Sequence, residues 1–244
     1  RVGFSRLPSM RSLGQRYVES ASQAVSEARE VGRTIGIELG SYGFDLPFAP
    51  VLDIDHGVSG VIGDRAFATD PDVLVTLARA FRDGLRAAGL SATGKHYPGH
   101  GAVTADSHLE LPVDRRPLEE IERTELQPFR ALIQEGLESI MTAHVRYTAV
   151  DPTPASLSRR WVKDVLRKQL GFQGAVFTDD LSMGGAAAIG DMETRARMAL
   201  DAGSDMLLVC NDRPATLTLL DALRNVRPRP TASVRLQALY RRPG

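Results

Sequence analysis

Cysteine, lysine and any excess of charge are what this chain has least of. Cys210 is the one cysteine among 244 residues, so no internal disulfide framework exists and a reducing compartment fits. Lysine occurs only at Lys95, Lys163 and Lys168, a bias given no functional weight. The 30 basic residues balance 30 acidic ones, which argues against a nucleic-acid partner. No apolar run approaches the roughly 20 residues of a membrane-spanning helix, so no membrane partner is expected. The early segments also lack a Gly-rich phosphate loop, which argues against a nucleotide-binding open sheet. There is no initiator Met and no signal-peptide pattern. The chain opens at Arg1-Val2-Gly3-Phe4-Ser5-Arg6-Leu7-Pro8, and this start is expected to be a cut.

What is present is an alternation of helical and strand-like segments. Residues 14–39 read as one helix, 70–89 as a helix with Asp70 as cap and Pro71 in its first turn, and 117–135 as a helix that Pro128 must kink or interrupt. Further helices are expected at 158–170, 192–202, 214–225 and 231–241. Five strands lie between them: 46–54, 90–95, 139–145, 175–179 and 206–210. Strands alternating with helices predict βαβ units and a parallel sheet in a single domain spanning residues 1–244. Five strands suit either an open doubly wound sheet or a (β/α)8 barrel lacking its first strands.

In a barrel the working residues sit at the carboxyl ends of strands. Here those ends carry Asp53 and Asp55, Lys95 and His96, His144, Asp179 and Asp180, and Asn211 and Asp212. The densest run is Lys95-His96-Tyr97-Pro98-Gly99-His100-Gly101, followed by Asp106-Ser107-His108. A metal site on His96, His100, Asp106 and His108 is one reading, although Pro98 and Gly99 break the helical spacing of a zinc-type pair. Acid/base chemistry is another. A carboxylate two residues from an imidazole can fix its tautomer and favour its charged form, which suits proton transfer near neutral pH. Asp179 follows a β-prone run, Ala175–Thr178. If Asp180 or Ser182 serves the following turn, Asp179 is free to point inward, where a carboxylate can attack an anomeric carbon.

These segments, with Arg6-Leu7-Pro8, Phe48–Asp55 and Gly63-Asp64-Arg65, resemble the family 3 glycoside hydrolases. More narrowly, they are similar to the bacterial β-N-acetylhexosaminidases that recycle peptidoglycan fragments. The resemblance implies a (β/α)8 TIM-like barrel and a retaining glycosidase releasing terminal N-acetylglucosamine through a covalent glycosyl-enzyme. It implies Asp179 as nucleophile, His108 as acid/base, Asp106 as its dyad partner, and Arg65, Lys95 and His96 as sugar-binding residues. No cofactor or metal is implied. The partners would be small N-acetylglucosaminides such as muropeptides, met by a monomer in the cytoplasm. Phosphate could replace water, since an imidazole does not repel that anion.

Relatives of this type carry, before the point matching Arg1, the first barrel strands and an Asp-Gln-Glu-Gly-Gly segment that binds sugar. The chain is therefore expected to be N-terminally truncated, poorly stable alone and weakly active. Two rival functions stay open: a sugar-binding remnant without turnover, and a metal-dependent hydrolase using the histidine loop.

Overall fold

The computed structural model describes residues 3–227 and 229–240. Its helices are α1 (Met10–Glu19), α2 (Ala21–Ser41), α3 (Pro71–Ala87), α4 (Leu118–Arg123), α5 (Leu126–Gln134), α6 (Gly184–Ala187), α7 (Met192–Ala202), α8 (Arg213–Ala222) and α9 (Pro230–Gln237), with a wide π-type helix at Arg160–Gln169. The strands are β1 (Thr93–Tyr97), β2 (Val113–Asp114), β3 (Ser139–Thr142), β4 (Arg146–Tyr147), β5 (Ala175–Asp180) and β6 (Met206–Leu208).

The main sheet runs β1-β3-β5-β6, all parallel. Before β1, residues 49–52 lie along its free edge: Thr93 N donates to Ala49 O at 2.8 Å, Lys95 N to Pro50 O at 3.2 Å and Leu52 N to Lys95 O at 2.6 Å. This is the strand expected over 46–54, reduced to one bridge between Val51 and Lys95. Pro47 and Pro50 lack N–H groups, so a full ladder cannot form there. The wall is therefore ordered as the chain is ordered, with no reversal. A doubly wound sheet reverses at a switch point, so that alternative is set aside. Among the described residues the wall is open, with the 49–52 segment and β6 as its edges. A second pairing, β2 with β4, was not anticipated and joins the stretch after the histidine loop to the segment after β3.

The helices follow local rules. Asp70 Oδ1 accepts from Asp72 N at 2.9 Å and Val73 N at 3.0 Å, with Pro71 in the first turn of α3. That helix buries Leu74, Leu77, Phe81 and Leu85 in the core shared with Leu52, Ile140, Trp161 and Val176. α2 lies against α3 nearly backbone to backbone. A Cβ on Gly32 would stand 2.0 Å from Phe81 O, and one on Gly84 2.0 Å from Arg29 O. The helix expected over 14–39 is divided at Ser20, which takes extended backbone (φ −153°) and gives its N–H to Arg16 O; serine suits such a boundary better than a helix interior. The kink or break expected at Pro128 falls instead at Thr124 and Glu125. Pro128 occupies the third position of α5, where the N–H it lacks would have had no helical partner. Residue 241, the expected end of the last helix, lies outside the described residues.

At the amino end of the wall, the Asp205 carboxylate, itself without exposure, accepts from Val176 N at 3.0 Å and pairs with Arg167 at 2.8 Å, Arg235 at 3.3 Å and Arg229 at 3.8 Å. Among the described residues no helix is long and apolar enough to cross a membrane.

Candidate active site

At the carboxyl end of the wall the polar strand ends divide by task. Asp55 pairs with Arg11 at 2.7 Å and accepts from Gly57 N, so it holds its own turn. Asp212 caps α8 through Ala215 N at 2.9 Å. Asp180 Oδ1 accepts from Ser182 N at 2.9 Å, Ser182 Oγ at 2.7 Å and Cys210 N at 3.2 Å. With Asp180 occupied by the turn, Asp179 lines a cleft of about 190 Å³ together with Arg65, Lys95, His96, His108 and Cys210.

Strand ends, the turn at Gly63–Arg65 and the histidine loop all contribute to the lining of this cleft. Asp53, wholly buried, lies behind His96 and His100. Its carboxylate accepts from His96 Nδ1 at 2.7 Å, His96 N at 3.2 Å and His100 N at 2.7 Å. Burial pushes this carboxyl up, but His96 and the amide of His100 outweigh it and hold it below its ordinary value. With Nδ1 committed to Asp53, His96 is left its Nε2 for other partners. Burial, and then the Arg65 charge, pull Lys95 below the usual lysine range. Arg65 is anchored by its own turn, with Nε and Nη2 donating to Val61 O at 3.1 and 2.8 Å.

Burial alone would raise the Asp179 carboxyl as well. The neighbouring His96 and His144, the Asp180 N–H and Lys95 reverse that and hold it low, so Asp179 is an anion at neutral pH. The dyad is also formed: His108 Nδ1 meets Asp106 Oδ1 at 2.7 Å, and the same oxygen accepts His108 N at 2.8 Å. These two bonds hold the Asp106 carboxyl below its ordinary value. The His108 side chain is 59% exposed, so an open imidazole edge faces the cleft that Asp179 also lines. A carboxylate and an imidazole lining one cleft are the kinds of group that acetal cleavage requires.

Carboxylates hold Nδ1 of His96 and of His108, which leaves each ring its Nε2, and His100 Nε2 meets Ser107 Oγ at 2.9 Å. Among the described residues no group of three or more histidine, cysteine or acidic side chains is placed to hold an ion.

Three contributors escape a reading by motif. Asp53 lies 43 residues before His96, and the strand-end rule and the Phe48–Asp55 segment pointed to it without giving it a role. Glu125, buried beneath Gly99, joins His56 at 2.6 Å and Arg116 at 3.1 Å. His144, fully buried, donates from Nε2 to Asp180 O at 2.9 Å, which leaves Nδ1 to accept from Ser156 Oγ at 2.6 Å. It therefore supports the strand that carries Asp179. Burial lowers its pKa, so the unfolded chain binds a proton more readily than the folded one. That contribution to stability is present above the unfolded pKa of about 6.5 and is lost as pH falls toward the folded value. Thermal melts between pH 7 and pH 5 should show a shallower decline for His144→Gln than for the parent; equal slopes would remove His144 from the acid response.

The chain matches the glycosyl hydrolase family 3 N terminal domain over residues 1–235. It is 50% identical over 240 residues to a β-hexosaminidase of Methylococcus capsulatus, covering 98% of this chain and 71% of that protein. A β-hexosaminidase of Thiobacillus denitrificans is 54% identical over 211 residues, covering 86% of this chain and 59% of that protein. The chain thus spans 59% to 71% of the length of these curated relatives. Among solved structures, NagZ from Neisseria gonorrhoeae in complex with N-trifluoroacetyl-D-glucosamine superposes with a TM-score of 0.91 at 42% identity, covering 100% of this chain and 70% of that one. A family 3 β-N-acetylglucosaminidase from Paenibacillus gives 0.90 at 34% identity, covering 98% of this chain and 46% of that one.

Proposed function

Because the chain belongs to the β-hexosaminidase branch of glycosyl hydrolase family 3, we propose that its cleft removes terminal N-acetylglucosamine with retention of the β configuration. The observation that carries this reading is that Asp179 and the dyad histidine line the same cleft. In the first step an Asp179 carboxylate oxygen attacks the anomeric carbon. The bond to the leaving oxygen breaks, and that oxygen takes a proton from His108. Nδ1 is held by Asp106, so Nε2 is the nitrogen that delivers it. In the second step the same nitrogen removes a proton from water, the water oxygen attacks the anomeric carbon, and the bond to Asp179 breaks. Asp106 fixes the ring and its tautomer. Arg65, Lys95 and His96 bind the sugar hydroxyls, positioned for this by Val61 O and Asp53.

We assign muropeptides as the physiological substrates and the cytoplasm as the compartment, on the resemblance and the lone Cys210. The parallel wall is taken as an arc of a (β/α)8 barrel, a reading its unreversed strand order supports. Residues 1–244 are treated as one catalytic domain working as a monomer.

The test is hydrolysis of p-nitrophenyl N-acetyl-β-glucosaminide by this chain and by a chimera adding the flanking segments of the Methylococcus capsulatus relative, each with and without a chelator. Turnover that tolerates chelation supports the reading. A chimera that binds N-acetylglucosamine without turnover, or that a chelator silences, sinks it.

A further inference from the structure

The acid/base and the nucleophile are not independent parts, because the turn that follows Asp179 is hydrogen-bonded to the dyad loop. Gly184 N donates to His108 O at 3.0 Å and Gly185 N to Ser107 O at 2.9 Å. Contact is close enough to exclude a side chain. A Cβ on Gly184 would lie 2.5 Å from Leu109 O and 2.9 Å from His108 O, and one on Gly185 3.0 Å from both Ser107 O and Glu110 O. Neither glycine has positive φ, so what demands glycine here is proximity to the loop and not backbone shape.

The connection back to Asp179 is short and stiff. Asp180 ties Ser182 through two bonds, Met183 N donates to Asp180 O at 3.0 Å, and that same oxygen accepts from His144 Nε2. On its other side the dyad loop is fastened by Ser107 Oγ to His100 Nε2, and His100 N reaches Asp53. His108 itself is largely exposed and is held through Asp106 and its own backbone. Where the backbone of residues 107–109 stands therefore decides where the imidazole stands.

We propose that Gly184 and Gly185 are positioning residues for proton transfer: their close backbone contact sets the height of His108 over Asp179. This rests on His108 being the proton donor of the reaction given above. An added methyl at Gly184 must push the loop away by roughly 1 Å, and a displacement of that size can cost about 10²-fold in rate.

The experiment compares kcat/KM on two N-acetyl-β-glucosaminides, one with an alkyl leaving group that needs protonation and one with 2,4-dinitrophenolate, which needs little. Gly184→Ala should lose about 10²-fold on the alkyl glycoside and far less on the activated one, with KM nearly unchanged. Ser107→Ala, which loosens the opposite anchor without adding bulk, should give the same pattern more weakly, and it carries the test if Gly184→Ala does not fold. A purely structural role predicts equal losses on both substrates, and that result overturns the proposal, as does no loss at all. His108→Ala separates the two levels. If it discriminates between the substrates and the anchor variants do not, only the positioning role falls. If it fails to discriminate, the proton-donor assignment falls and the proposal with it.

Discussion

Asp179→Ala is expected to lower kcat by about 10⁴-fold or more while leaving the fold intact, because it removes the atom proposed to bond to the sugar. Removing a covalent nucleophile costs on that scale where other site contacts persist. The fold should survive because the carboxylate has little structural duty. Asp179 Oδ1 accepts from Asp180 N at 2.9 Å, whereas the turn is held by Asp180 itself. Burial disfavours the Asp179 charge, but His96, His144, the Asp180 N–H and Lys95 outweigh it, so the charge contributes stability at neutral pH and the melting temperature of Asp179→Ala should fall modestly. The gap left on that wall of the cleft also admits a small anion. Added azide should restore turnover of an activated N-acetylglucosaminide and yield the α-glycosyl azide, since attack then comes from the face Asp179 occupied. A variant that keeps parental turnover, or an azide product of β configuration, would show that Asp179 is not the attacking group.

Asp53→Ala should have the largest effect on stability. It strands three donors at once, His96 N, His96 Nδ1 and His100 N, at a site with no exposure. Deleting the acceptor of a buried, hydrogen-bonded carboxylate pair costs about 3–5 kcal/mol. For a chain of this size that corresponds to a melting point lower by roughly 6–20 °C. Asp53→Asn keeps one acceptor oxygen and should fall between the two. The proposed sugar pocket should loosen in step, because His96 loses the bond that sets its ring. Urea titration of the three proteins, with N-acetylglucosamine affinity measured alongside, checks both parts. A parental midpoint for Asp53→Ala would mean that water replaces the carboxylate and that the buried pair has been overvalued.

These two carboxylates also mark how far the sequence could be read. Asp179 was legible because Asp180 and Ser182 stood beside it to take the turn, a local relation that the hydrogen bonds bear out. The Asp106–His108 contact was legible for the same reason, since two residues of separation leave few geometries. Asp53 showed as one polar strand end among several and as part of the Phe48–Asp55 segment, without a role; its partners are far along the chain, and only the sheet brings them together. The same limit applies to Gly184. In the sequence it belongs to a small-residue run, and nothing local tells that its neighbour across space is the dyad loop. Helix existence followed apolar period and caps, yet the break at Ser20 did not, because a serine inside a continuous apolar stripe gives no strong local stop. Parallel strands could be expected from the alternation. Their unreversed order, which separates a barrel arc from a doubly wound sheet, became visible only in the pairing.

The Asp205 knot with Arg167, Arg229 and Arg235 sits at the end of the wall away from the cleft. That separation divides the molecule into two faces open to separate selection. Exchanges among those arginines can tune heat and salt tolerance while the catalytic constants drift little. A lineage moving to a warmer or saltier habitat can therefore adapt at one face without relearning its chemistry at the other.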